Sequence, residues 1–127
     1  MNDVPAAFEE FISAFNALDM NRFAACLAPL VSLYPPGSSQ SLLVEGHEAV
    51  VKHFEKVFQV ESPAGPKITP DNVRFQLLGN EATLVTFTFS RPAGSVGKRS
   101  IVFKRNALGW QILHIHASNT EPHEAAA

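Results

Sequence analysis

The sequence predicts an α+β fold in which three N-terminal helices pack on one face of a curved, mostly antiparallel sheet. Apolar residues recur at helical spacing early in the chain, and they alternate with polar residues at strand spacing from Ile68 onward. Turn-forming residues separate the later strands, first at Gly79-Asn80 and then between Asn106 and Gly109. Helices that precede a run of strands are typical of this class.

The composition indicates one domain, residues 1–127, with a core of its own. The formal net charge of −2 argues against a nucleic-acid-binding surface, which needs clustered Lys and Arg. No stretch is apolar enough for a membrane helix, and the N-terminus lacks the pattern of a signal peptide. Because Cys26 is the single cysteine, no intrachain disulfide is possible, and we expect a cytoplasmic protein without nucleic-acid or membrane partners.

Amphipathic segments and their caps predict the helices. Asp3 and Asp19 are suitable N-caps for the first two, and Phe54 and Phe58 belong to the apolar stripe of the third. The chain contains ten phenylalanines, which we expect to fill a wide core or to line a cavity. The predicted helices cover residues 5–18, 20–27 and 46 or 47 to 59.

Runs of β-branched and aromatic residues predict the strands. A short strand and an extended segment come before the third helix, and a long hairpin ends the sheet. Pro70 indicates an edge or a bulge near the start of the first long strand. The predicted extended segments are residues 30–34, 41–44, 68–78, 81–91, 99–104 and 110–118, followed by a frayed tail.

Strand alternation divides the last strand into two faces. One face carries Trp110, Ile112, His114, His116 and Ser118, and the other carries Gln111, Leu113, Ile115 and Ala117. We expect the histidine face to turn toward the interior, and Leu113 and Ile115 to lie at an interface between subunits. A β-bulge would invert this assignment.

Several short motifs carry a family resemblance. They are Asn16-Ala17-Leu18-Asp19, the segment 45–50 (EGHEAV), Arg99-Ser100 and the segment 110–118 (WQILHIHAS). In this order they resemble the nuclear transport factor 2-like superfamily, and its SnoaL-like branch in particular. The last segment is also similar to the association domain of calcium/calmodulin-dependent protein kinase II. The resemblance implies a cystatin-like cone with a pocket on its inner face, and a homodimer packed through the outer face of the sheet.

The candidate ligand-binding residues are those expected around that pocket: Tyr34, Phe54, Phe58, Arg99, His114 and His116. Arg99 favours an anionic ligand, because its planar guanidinium matches a carboxylate. His114 and His116 should lie about 7 Å apart on one strand, where they could hold a ligand or move a proton. Nothing in the spacing brings a third ligand to this pair, so we expect no metal, and we expect no cofactor.

Two functions remain open. The first is a small-molecule-binding cone, with isomerase, cyclase or dehydratase as the implied enzyme types. Residues 30–44 contain no Asp or Glu, so the carboxylate base of ketosteroid isomerase chemistry is not filled there. A dehydratase-like mechanism would use His116 as the base and Tyr34 to polarise a carbonyl. The alternative function is a non-catalytic association module with a plugged cavity.

Overall fold

The computed structural model describes residues 3–37, 42–60 and 67–120. The α+β prediction is confirmed, because two helices, a short strand pair, a third helix and then four strands follow one another in the expected order. Helices and strands are α1 Val4–Asn16, α2 Met20–Ala25, β1 Leu27–Tyr34, β2 Val44–Glu45, α3 His47–Val60, β3 Asp71–Leu77, β4 Ala82–Ser90, β5 Val96–Asn106 and β6 Gly109–Asn119, with a short 3-10 turn at Pro92–Gly94. None of the helices in the described ranges is long and apolar enough to cross a membrane.

The six strands form one sheet in the order β2-β1-β6-β5-β4-β3. Neighbours pair antiparallel except β1 and β6, which run parallel. Strand β6 therefore lies between the first strand of the chain and the β5 arm of its own hairpin. The inner face of the sheet packs against the helices, where Val85, Phe87 and Phe89 of β4 are buried as their alternation predicts.

Side-chain caps and one aromatic cluster fix the helices. Asp3 and Asp19 accept hydrogen bonds from the backbone N–H groups of Ala6 and Arg22, at 2.8 and 3.1 Å, which confirms both N-caps. Phe23 of α2 is fully buried, and its ring contacts the rings of phenylalanines from α1 and α3. The aromatic residues thus join the three helices into one layer over the sheet.

Several element boundaries differ from the prediction, and two of them have identifiable reasons. Helix α2 ends at Ala25, because Ile112 of β6 donates its N–H to the carbonyl of Cys26 at 2.8 Å and draws the chain into β1. Strand β3 begins at Asp71 rather than near Ile68. The Asn16 side chain bonds both the N–H and the carbonyl of Ile68, at 2.8 and 2.9 Å, so that Ile68 is held by the end of α1 instead of the sheet. The predicted tail was expected to fray from Asn119, but Asn119 belongs to β6 and Thr120 bonds the backbone of Val96. Residues 121–127 of that tail and the predicted start of the 41–44 segment lie outside the described residues.

A β-bulge in β6 inverts the faces of its second half. Phe103 pairs with Ile112 and Ile101 pairs with Ile115, so Leu113 and His114 together oppose the single residue Val102. Beyond the bulge the odd-numbered residues turn toward the helices. The expectation that Ile115 lies at a subunit interface is wrong, because Ile115 is buried in the core and is 3% exposed.

The same bulge corrects the orientation of the two histidines. Ala117 and Ile115 line the interior, whereas His114 and His116 lie on the outer face of the sheet with Ser32 and Tyr34 of β1. The prediction that His114 and His116 turn toward a hollow interior is therefore wrong. An extra residue in one strand leaves no trace in the alternation of side chains, so only the pairing with β5 reveals it.

Candidate functional site

A cavity of about 100 Å³ lies between the helices and the inner face of the sheet. We call it the chamber. Four phenylalanines of α1, α3 and β4 and several aliphatic side chains of β1, β5 and β6 form its wall. Among the described residues that line it, two carry an ionisable group, namely His53 of α3 and Arg99 of β5. The chamber is thus an apolar space with two polar anchors, the arrangement that is usual in small-molecule sites.

A second space of about 280 Å³, here the vestibule, adjoins the chamber. The two share lining residues, among them Phe15, Ile68 and Arg99. The vestibule adds Lys67 and Arg91 to its wall, whereas no carboxylate from the described residues lines either space. This concentration of positive charge is local, because the chain as a whole has a formal net charge of −2.

Arg99 stands where the two spaces meet. Its Nη1 donates to the carbonyls of Lys98 and Ser118 and to Oδ1 of Asn119, at 2.9, 3.0 and 3.1 Å. Its guanidinium carbon lies 4.8 Å from the ring centroid of Phe89. Burial, and then the neighbouring Arg91, lower the pKa of Arg99 to about 10, so the side chain is still a cation at neutral pH. All three acceptors are neutral and bind the same nitrogen. Within the described part of the chain, no carboxylate forms an ion pair with the Arg99 guanidinium.

A glycine makes the position of the Phe89 ring possible. A side chain at Gly97 of β5 would overlap the Cζ and Cε atoms of Phe89, which lies opposite Gly97 on β4. Without that side chain, the Phe89 ring lies over the Gly97 backbone and beneath the Arg99 guanidinium. Gly97 therefore supports Arg99 through the aromatic ring between them.

His53 is an ionisable residue of the cavity wall that the sequence interpretation did not assign to the site. Its ring is half-buried and lies edge-on to the ring of Phe54, with 5.3 Å between their centroids. Burial, and then the charge of Lys56, lower the pKa of His53 below its ordinary value. The signal was present in the sequence, because Val50, His53 and Val57 follow the helical spacing of the inward face of α3.

The predicted site residues are not all in one place. Arg99 and Phe54 line the chamber. Phe58 packs beside it, with its ring centroid 5.5 Å from that of Phe15. Tyr34, His114 and His116 lie on the opposite face of the sheet, so the predicted convergence of these three with Arg99 is wrong. Arg99 pairs with Ala117 while Ser100 pairs with His116, which places Arg99 and His116 on opposite sides of the sheet.

Ser32, Tyr34, His114 and His116 form a cluster of their own on the outer face. Nδ1 of His114 lies 2.7 Å from Oγ of Ser32, and the Tyr34 ring is 5.9 and 5.4 Å from the two imidazole centroids. Burial, and then His116, lower the pKa of His114. Across residues 3–37, 42–60 and 67–120 there is no group of three or more His, Cys, Asp or Glu side chains that could hold a metal ion.

With this geometry established, the chain can be compared with known proteins. A family model described as the SnoaL-like domain matches residues 4–122. A sequence comparison with curated proteins finds no match.

Solved structures show the same fold at low sequence identity. A proposed dehydratase of the nuclear transport factor 2-like family from Streptomyces avermitilis is similar with a TM-score of 0.78 and 19% identity, over 91% of this chain and 93% of that one. A proposed calcium/calmodulin-dependent protein kinase type II association domain from Thiobacillus denitrificans gives 0.73 and 20%, over 95% and 98%. A proposed ketosteroid isomerase from Shewanella frigidimarina gives 0.72 and 18%, over 89% and 92%. Other neighbours are described as cystatin-like, which confirms the predicted fold.

Proposed function

The chain belongs to the SnoaL-like domain family, and from that premise and the geometry of its cavity we propose that it binds a small, largely apolar carboxylic acid inside the cone. The apolar body of the ligand occupies the chamber, and its carboxylate lies against Arg99. The single observation that carries this proposal is a half-buried arginine, at the opening of an apolar cavity, that has no carboxylate partner among the described residues.

The charge of Arg99 makes an anion the favoured ligand. A cation that is partly removed from water is destabilised unless it is paired, and the acceptors seen among the described residues occupy only Nη1 of Arg99. Nε and Nη2 can offer two parallel N–H donors to a carboxylate. Lys67 and Arg91 in the vestibule would attract the same anion from solvent.

The size of the chamber restricts the apolar part of the ligand. An apolar cavity of roughly 150 Å³ in another protein holds benzene. The chamber, at about 100 Å³, is smaller than that, so it suits a short chain, or a ring that extends partly into the adjoining vestibule. The more open vestibule, of about 280 Å³, can hold polar groups beyond the carboxylate.

A proton-transfer reaction in this cavity would depend on His53. The neighbours from Streptomyces and Shewanella are described as a dehydratase and a ketosteroid isomerase, reactions that move protons on small molecules. No described carboxylate lines the chamber, and His116 and Tyr34 lie on the other side of the sheet. If this chain catalyses an isomerase, cyclase or dehydratase reaction, His53 is the base that its geometry offers.

The test compares three ligands of one shape and different charge: phenylacetate, 2-phenylethanol and 2-phenylethylamine. Titration calorimetry on the wild-type protein should show phenylacetate binding about tenfold to a hundredfold more tightly than the alcohol, as expected for a charge-assisted hydrogen bond. The R99M variant should lose this preference. K98M is the matched control, because it removes the same charge from an exposed neighbour. Equal affinity for the acid and the alcohol, or equal losses in both variants, would refute the proposal.

A second candidate function is association of two copies through the outer face of the sheet. It is supported by the similarity to an association domain and by Tyr34 and His116, which are exposed aromatic side chains in the centre of that face. Sedimentation velocity should then show a dimer for the wild type and a monomer for Y34E, with K104E as the control at an exposed position farther along the sheet. A wild-type monomer at high concentration would exclude this candidate.

A further inference from the structure

We propose that the ligand of this cone is a dicarboxylic acid, in which one carboxylate binds Arg99 and a second one, on the same or the next carbon, binds Arg91 in the vestibule. The inference rests on the proposed function, because Arg99 and the chamber have to hold the first carboxylate and the apolar body. It goes further by assigning the second polar group of the ligand and the side chain that selects it.

Two arginines line the vestibule from neighbouring parts of the sheet. Arg91 directly follows β4 and Arg99 belongs to β5, and both side chains line this space of about 280 Å³. Arg99 also lines the chamber, whereas Arg91 does not. A carboxylate at Arg99 therefore stands where the chamber opens, and a second group on its vestibule side is directed toward Arg91.

Hydrogen bonds hold both guanidinium groups at the same end of β6. Nη1 of Arg91 donates to Oγ of Ser95 at 3.2 Å, and this hydroxyl donates to the carbonyl of Thr120 at 2.6 Å. Nη1 of Arg99 donates to the carbonyl of Ser118 at 3.0 Å. The two arginines are thus anchored to residues only two positions apart, which keeps their guanidinium groups on one small part of the vestibule wall.

The positive charges of the two arginines act on each other. Burial lowers the pKa of Arg99 most, and the charge of Arg91 lowers it further. Lys67 adds a third positive charge to the vestibule wall, to which the described residues contribute no carboxylate. Neither of the two ion pairs among the described residues involves these three cations. One carboxylate offsets one of these charges, whereas a dianion offsets two and relieves the repulsion between Arg91 and Arg99.

The exposure of the two arginines sets the size of each effect. Arg91 is exposed, and ion pairs at exposed positions are weak, so the second carboxylate should raise the affinity by about fivefold. Salt should reduce this gain, because it screens exposed charges. Arg99 is half-buried, so its carboxylate is less screened and contributes more. Arg99 therefore determines that an acid binds, and Arg91 determines which acid binds best.

The test adds one group to phenylacetate. Phenylmalonate carries a second carboxylate on the same carbon, and phenylsuccinate carries it on the next carbon. Each is compared with the monomethyl ester of its added carboxylate, which keeps the attachment and removes the charge. Titration calorimetry at low salt and about pH 7.5, where both carboxylates are ionised, should show at least one diacid binding the wild type about fivefold more tightly than its ester.

The R91M variant should lose the difference between diacid and ester but keep the preference for phenylacetate over 2-phenylethanol. R74M is the matched control and should keep both, because it removes the same charge from an exposed arginine that lines neither space.

The outcomes separate this inference from the proposed function. If phenylacetate binds no better than 2-phenylethanol, the proposed function fails, and the inference fails with it. If that preference and its loss in R99M are both observed, but neither diacid binds more tightly than its ester, only the inference is overturned. A diacid preference that persists in R91M, or that R74M loses to the same extent, would also overturn it, because Arg91 would then not be the residue that binds the second carboxylate.

Discussion

Replacing Gly97 by alanine tests the packing that supports the candidate site. The added methyl group would overlap the outer atoms of the Phe89 ring, so the ring has to move within a core where it is 8% exposed. Overpacking of this kind costs about 2 kcal/mol of unfolding free energy. The backbone of Gly97 does not lie in the left-handed region, so alanine itself is not strained there.

The double variant G97A/F89L isolates the cause. Leucine lacks the Cζ and Cε atoms that the methyl group would meet, so G97A should cost nothing in the F89L background. It should even stabilise that background by about 0.5 kcal/mol, because alanine restricts the unfolded chain. Urea unfolding of the four proteins gives both values as a double-mutant cycle. The explanation is refuted if G97A is equally destabilising in both backgrounds. Since the Phe89 ring lies against Arg99, G97A alone should also weaken phenylacetate binding, which the calorimetric assay above reports.

Three further predictions concern other groups. Thr83 is fully buried, and its Oγ1 has no hydrogen-bond partner among the described residues. T83V should therefore raise the free energy of unfolding by about 1 kcal/mol, as measured by urea unfolding. T86V, at a half-exposed position on the outer face of the sheet, is the control and should not raise it. Burial raises the pKa of the Cys26 thiol from 9.0 to about 11, which lowers the fraction of reactive thiolate. The thiol should therefore react with Ellman's reagent on the order of a hundredfold more slowly in the native protein than in the unfolded protein. Equal rates would contradict this prediction. Burial lowers the pKa values of His53 and His114 below their ordinary value of 6.5. The unfolded chain therefore binds protons more readily, so the free energy of unfolding should be highest above pH 6.5 and should fall as the pH drops below it. In the double variant H53Q/H114Q, the free energy of unfolding should vary less with pH between about pH 7.5 and about pH 5.

Local pattern was sufficient to predict the order of the elements. The N-caps Asp3 and Asp19 and the alternation of Val85, Phe87 and Phe89 are short-range signals that the tertiary structure retains. Boundaries failed where a distant partner decides them. The Asn16 carboxamide holds Ile68 from 52 positions away, and no pattern within either segment announces that contact.

The site was predicted only in part, for a similar reason. Arg99 was found because Arg99-Ser100 belongs to the motifs of the family resemblance, which implies a pocket on the inner face of the sheet. His53 was not predicted, because the alternation of the last strand indicated His114 and His116 as the histidines of the pocket. One bulge, visible only in the pairing of β6 with β5, moved those two rings to the other side of the sheet.

The parallel pairing of β1 with β6 bears on how the protein is made. Ser32 and His114 are 82 positions apart, yet their strands are direct neighbours in the sheet. During synthesis β1 leaves the ribosome long before β6 has been translated. The apolar side chains of β1 therefore stay exposed to solvent until β6 pairs with that strand. Ladders that join such distant segments form slowly, because a large loop has to close first. Nascent chains that stall before β6 should therefore aggregate readily and be sensitive to protease. The pairing of β6 with β1, which completes the sheet, should be the last step of folding.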